Sequence, residues 1–163
     1  MRVVVNATPL IALSLVNRLD LMHRLFEEVM VPPAVYKEIT AKDAGQAGVP
    51  ALRSAAWIKV VSLETSPTIE PLLLGLDIGE LQVLLLSREL EPDWVLMDER
   101  LGRRVAKAMG LPVKGTVGVL LAAFHAGFLT RAEAMEILHQ LVAEGIRIST
   151  TVIDWFVGEL DPH

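Results

Sequence analysis

Val95-Leu96-Met97-Asp98-Glu99-Arg100 carries an apolar run into two carboxylates, and a basic helical pattern, Arg100, Arg103, Arg104 and Lys107, follows at once. A short buried strand that ends in acid and turns straight into a helix suits a parallel α/β sheet. Ligands there sit beyond the carboxyl ends of the strands, where loops vary freely and helix N-termini point. Asp98 has two readings: a ligand or catalyst at a strand end, or the N-cap of the next helix, a place Asp favours.

The same alternation extends to both sides. Residues 2–5 are β-branched and read as a buried parallel strand. Thr8-Pro9 is expected to open a helix, with Thr as N-cap and Pro at the first helical position. Residues 19–26 give a short helix, 28–31 a strand, and Pro33 opens a helix that carries Glu38. Residues 41–50 read as a loop, 58–63 as a strand and 64–71 as irregular chain. A long helix begins at Asp77-Ile78-Gly79-Glu80 and ends near Leu90. After the strand at 95–98 come a helix over 101–109 closed by Gly110, a strand at 112–114, and a helix capped by Thr116. Thr130-Arg131-Ala132-Glu133 is a capping box, and a last helix starts at Ser149 and carries Trp155 and Phe156. Strands alternating with helices predict an α/β sandwich around a parallel sheet of about five strands.

A chain of 163 residues suits one domain, here 1–163. Hydrophobic residues make up 52% of it, enough to expect some apolar surface to be covered by a partner or in a homodimer, with Trp155 and Phe156 as candidate contacts. The net charge of -5 means that nucleic acid would have to be held by a local basic patch. The absence of cysteine excludes disulfides, iron–sulfur clusters and thiolate zinc sites, and makes a cytoplasmic location the expectation. No apolar run approaches the ~18 residues of a membrane span. The four histidines lack metal-ligand spacing, no serine sits in a nucleophile elbow, and no phosphate-binding glycine loop occurs.

Four polar residues fall at element ends that such a fold could gather: Asn6 after the first strand, Glu38, Glu80 in the first turn of the long helix, and Asp98. Each has a plain structural reading: a turn, a solvated face, a capping box with Asp77, and an N-cap. A joint reading is more economical, because carboxylates that converge on one pocket repel unless a divalent cation sits among them.

Several segments, in this order, resemble PIN-domain proteins. Val4-Val5-Asn6-Ala7-Thr8-Pro9-Leu10 is similar to the family's opening strand and helix, whose usual form has Asp where this chain has Asn6. Val31-Pro32-Pro33-Ala34-Val35-Tyr36-Lys37-Glu38-Ile39 resembles its acidic-helix segment, and Leu76-Asp77-Ile78-Gly79-Glu80 the helix start with a further acidic ligand. Leu96-Met97-Asp98-Glu99-Arg100 and Gly115-Thr116-Val117-Gly118 look like the closing half. The resemblance implies a three-layer α/β/α fold with strand order 3-2-1-4-5 and an Mg²⁺- or Mn²⁺-dependent ribonuclease, often the toxin of a toxin–antitoxin pair and often a dimer. It carries Glu38, Glu80 and Asp98 over as metal ligands, with Asn6 in place of the first Asp. Asn6 still offers a carbonyl oxygen but removes a charge, so a weakened or inactive metal site is expected. Thr8 and Thr116 are candidates to hydrogen-bond water or carboxylates, and Glu99 reads as an outer or solvent-facing residue.

Arg100, Arg103, Arg104 and Lys107 are spaced to share one helix side, with Leu101, Val105 and Ala108 toward the core. Next to an acidic pocket they could hold RNA phosphates, which position a substrate without reading its sequence; alternatively they are a solvated face. Two other readings compete with the nuclease. One is a degenerate PIN-like domain that binds RNA or a protein partner without cleaving. The other is a flavodoxin-like signalling domain phosphorylated on Asp98, disfavoured because Asn6-Ala7 supplies no carboxylate at the end of strand one.

Overall fold

The computed structural model describes residues 1–41, 49–64 and 73–162. Most of the expected loop at 41–50 (residues 42–48), most of the irregular stretch at 64–71 (residues 65–71) and His163 lie outside the described residues. The elements run β1 (Arg2–Val5), α1 (Ala7–Leu15), α2 (Asp20–Leu25), β2 (Glu28–Val31), α3 (Pro33–Thr40), α4 (Val49–Ser54), β3 (Ile58–Val60), α5 (Ile78–Leu90), β4 (Trp94–Leu96), α6 (Arg100–Ala108), β5 (Val113–Lys114), α7 (Thr116–His125), α8 (Arg131–Ala143) and α9 (Thr150–Leu160).

The five strands form one parallel sheet in the order β3-β2-β1-β4-β5. β1 is central: Val3 pairs with Val29 on one side and Trp94 on the other. Val3, Val4 and Val5 are fully buried, as are Val95 and Leu96 of β4, which is why these strands read as unbroken apolar runs. Right-handed crossovers place the helices after β1 and β2 on one face and α5 and α6 on the other, because the strand order reverses at β1. α7 returns to pack against α1, α2, α8 and α9. The result is the expected α/β/α sandwich. The reversal puts the carboxyl ends of β1 and β4 side by side, and Asn6 N donates to Leu96 O at 2.9 Å just where the two strands end.

Four details differ from the sequence reading. α1 begins at Ala7, so Asn6 and not Thr8 holds the N-cap place. α7 begins at Thr116 with Gly115 as N-cap, so Thr116 is the first helical residue and its hydroxyl serves another partner. On α6 the buried residues are Gly102, Val105 and Ala106, while Leu101 is 42% exposed and Ala108 is exposed too. The Met97 sulfur occupies the space where a side chain on Gly102 would stand, and this draws the glycine side of the helix inward. Phe156 is wholly buried and cannot offer a docking contact, whereas Trp155 beside it is 48% exposed. Trp57 stacks on His23, with ring centroids 5.0 Å apart, and Trp94 meets Phe26 edge-on. No described helix is long and apolar enough to cross a membrane.

Candidate active site

Asn6 leaves β1 in an extended conformation at the head of α1, yet its side chain makes no capping bond. A capping side chain bonds the N–H of the second or third helical residue, and here the third is Pro9, which has none. The amide turns instead to Glu99: Asn6 Nδ2 donates to Glu99 Oε2 at 3.0 Å. Thr8 Oγ1 donates to the other oxygen, Glu99 Oε1, at 2.5 Å. Asn6 is buried, 4% exposed.

Glu80 reaches the same region from α5. Asp77 and Glu80 form a complete capping box: Glu80 N donates to Asp77 Oδ1 at 2.8 Å, and Asp77 N to Glu80 Oε2 at 3.3 Å. The box fixes Glu80 in the first turn and buries it, at 7% exposure. Between them, Gly79 leaves open a point on which three oxygens converge. A Cβ there would lie 3.4 Å from Asp77 Oδ1, 3.4 Å from Glu38 Oε2 and 3.6 Å from Asn6 Oδ1. α1, α3 and α5, which are distant in sequence, thus bring their polar residues to one place.

Asp98 stands to one side of this group. Thr116 N donates to its Oδ1 at 2.8 Å and Thr116 Oγ1 to its Oδ2 at 2.6 Å. Gly115 makes room for the carboxylate, since a Cβ there would fall 2.7 Å from Asp98 Oδ1 and 3.0 Å from Arg103 Nη1. Arg103 also donates to Met97 O at 3.1 Å. The basic stripe therefore divides. Arg103 is partly buried and braces the turn that holds Asp98, while Arg100, Arg104 and Lys107 are exposed.

The electrostatics follow the geometry. Burial raises the Glu38 carboxyl above its ordinary 4.5, and the negative charges of Asp77 and Glu99 raise it further. Glu80 is raised by burial and by Asp77, Glu99 and Glu38, against the lowering effect of its bond from the Asp77 backbone. Burial also raises Asp98, with Glu99 adding to it, while the two Thr116 bonds and Arg103 pull the other way. Glu99 acts on all three, so the residue expected in an outer or solvent-facing place is the charge that joins the two parts of the site. Successive residues of extended chain point to opposite sides, and the consecutive acids diverge accordingly: Asp98 bonds to Thr116 of α7, Glu99 to Asn6 just beyond β1 and to Thr8 of α1. Two adjacent acids at a strand end were the available signal for Glu99. Asp77 was legible only as half of a capping box.

The donor set is hard and oxygen-only, the kind that suits Mg²⁺ or Mn²⁺. Its Glu38 and Glu80 carboxyls are raised first by burial and then by the carboxylates around them. Several oxygens are engaged by protein donors, and among the described residues no three acidic or histidine side chains stand close enough to chelate an ion as placed. The fit is therefore one of chemistry and charge, and tightening around an ion would have to complete it.

No curated protein matches the chain. A family profile described as PIN domain matches residues 2–161, nearly its whole length. With the 3-2-1-4-5 sheet and acidic residues beside the β1/β4 switch point, this makes the chain a member of the PIN-domain family, a nuclease-type fold.

Proposed function

We propose that this protein is a divalent-metal-dependent ribonuclease whose site comprises Asn6, Glu38, Glu80 and Asp98, with Mg²⁺ or Mn²⁺ as cofactor. The observation that carries the reading is the convergence of Asn6 Oδ1, Glu38 Oε2 and Asp77 Oδ1 on the open point at Gly79, with Glu80 beside them. PIN domains generally use divalent metals. Such an ion, when bound, makes water a better nucleophile near neutral pH and offsets charge on the scissile phosphate. Glu38, Glu80 and the Asn6 carbonyl would hold it. Burial and the Asp77 and Glu99 charges raise the Glu38 carboxyl, and a cation held there would favour its ionised form. The two Thr116 bonds fix Asp98 at the rim and oppose the upward shift that burial gives its carboxyl. Arg100, Arg104 and Lys107 would hold RNA phosphates from the exposed side of α6. A toxin role with a protein antitoxin, action as a homodimer and a cytoplasmic location accompany this reading.

One observation favours a second reading, an RNA- or protein-binding domain without cleavage. Both Asp98 oxygens and both Glu99 oxygens are already taken by protein donors. Mn²⁺ calorimetry and cleavage of a mixed RNA pool, on wild type, Glu38→Gln and Asp98→Asn, separate the two. Metal binding and cleavage that both fall in the variants support the nuclease. RNA binding by a wild type that takes up no Mn²⁺ supports the second reading.

A further inference from the structure

Asn6 and Glu99 form a bonded pair whose chemistry is directional. An amide has a donor end and an acceptor end, and a carboxylate only accepts. Glu99, held by Thr8 Oγ1 and accepting a hydrogen bond from Asn6 Nδ2, therefore dictates which end of the Asn6 amide is which. The nitrogen faces Glu99. Oδ1 faces the opening at Gly79, where Glu38 Oε2 and Asp77 Oδ1 also point. Among the described residues Oδ1 accepts no hydrogen bond, so it is free for a ligand.

An Asp at position 6 would fare badly beside Glu99. Two carboxylates would meet where an amide N–H now bonds at 3.0 Å, and ionised like charges that close repel strongly. The departure from the family's usual Asp and the presence of Glu99 are two halves of one arrangement.

Resting on the metal-site reading above, we propose that Glu99 is the positioning residue for Asn6. In this arrangement the Asn6–Glu99 pair, with one amide oxygen and one negative charge, replaces a single acidic ligand. The charge that Asn6 lacks is carried one residue further out, so Asn6 does not mark a decayed site.

A double-variant cycle on the full chain tests this, with melting read in EDTA and Mn²⁺ binding read by calorimetry. In EDTA, Asn6→Asp is expected to lose stability and Glu99→Gln to lose little. The combined variant should recover most of the loss, because amide and carboxylate have then exchanged ends. Losses that simply add overturn the pairing. If Asn6→Asp does not fold at all, recovery of folding in the combined variant is the same readout. For Mn²⁺, Glu99→Gln is expected to weaken binding by on the order of tenfold, the effect of one unit charge near a divalent ion in a solvent-open site, and the combined variant should bind nearly as wild type. An unchanged affinity in Glu99→Gln, or a combined variant no tighter than Glu99→Gln, overturns the charge role. A wild type that binds no Mn²⁺ overturns the metal-site reading and the charge role together, while the EDTA cycle still decides whether Glu99 orients Asn6.

Discussion

Asp98 and the group of Glu38, Asp77 and Glu80 lie at the same end of the sheet, but they are treated differently by their surroundings. Asp98 receives a backbone N–H and a hydroxyl from Thr116, with the Arg103 guanidinium close by. Glu38 and Glu80 have no ion-pair partner among the described residues, and their neighbours are other carboxylates. The first arrangement is complete within the protein and stabilises the β4–α7 junction. The second leaves charge uncompensated and costs stability, which is the usual condition of a site built for something outside the chain. Substitution should therefore have opposite signs in the two halves.

The largest expected effect is in the closed half. Thr116→Val removes the hydroxyl from a residue 1% exposed and leaves an Asp98 oxygen without its bond. Hydrogen bonds to charged groups are worth about 1.5–3 kcal/mol, and urea melts should show a loss of that size. Thr116→Ser should lose much less, and equal losses would mean that the hydroxyl is irrelevant. Gly115→Ala comes next, since its Cβ would press on Asp98 Oδ1. A loss of about 1–3 kcal/mol, as for other overpacked sites, is expected in the same melts.

In the open half, Glu80→Gln keeps the acceptor for the capping box and removes a charge. It should leave stability unchanged or raise it by under about 1 kcal/mol, while Mn²⁺ affinity falls. Marked destabilisation would show that Glu80 is a structural group like Asp98.

The pH dependence is shared by the two halves, because burial raises Asp98 above its ordinary 3.8 just as it raises the two glutamates. Glu38 and Glu80 have pKa values raised above 4.5, so between that value and the raised ones the folded state binds more protons than the unfolded state. Stability from these groups falls as pH rises through that window, and the loss is complete above it. Glu28, lowered first by its bond to Arg2, acts in the opposite sense, but only below 4.5. Melting temperature in EDTA should therefore be higher near pH 5 than at pH 7.5, and Glu80→Gln or saturating Mn²⁺ should flatten the difference. A flat profile in the wild type would mean that burying these acids carries no electrostatic cost.

The smallest effect on folding concerns α6. Neutralising Arg100, Arg104 and Lys107 should change stability by no more than about 0.5 kcal/mol. Each of these cations that pairs with an RNA phosphate should, once neutralised, lower the log–log salt slope of RNA binding by nearly one. Arg103→Gln, by contrast, should destabilise through Met97 and Asp98.

Much of this was readable from the chain alone. Val3-Val4-Val5 and Val95-Leu96 announced strands buried on both faces, and the Asp77–Glu80 spacing announced a capped helix that the structure bears out. Gly110 closed its helix in the left-handed region as expected, at φ +75. The caps at Thr8 and Thr116 were misplaced because a hydroxyl that can cap a helix can equally bond a carboxylate, and only the neighbouring chain decides. Leu101 was assigned to the core because helical periodicity fixes which residues share a face but not which face turns inward.

The sequence by itself determined the alternation of elements, the parallel sheet and the presence of acids at strand and helix ends, since these depend on local periodicity, turn chemistry and the handedness of crossovers, whereas the strand order was an expectation carried by the resemblance to PIN-domain proteins. Only the tertiary structure decided that Glu99 turns toward Asn6 while Asp98 turns to Thr116, that Arg103 leaves the basic face, and that Glu38, Asp77 and Asn6 meet at Gly79. Those outcomes rest on contacts between residues up to 93 positions apart, such as that of Asn6 with Glu99, whose geometry is set by how α1, α5 and α6 pack on the sheet.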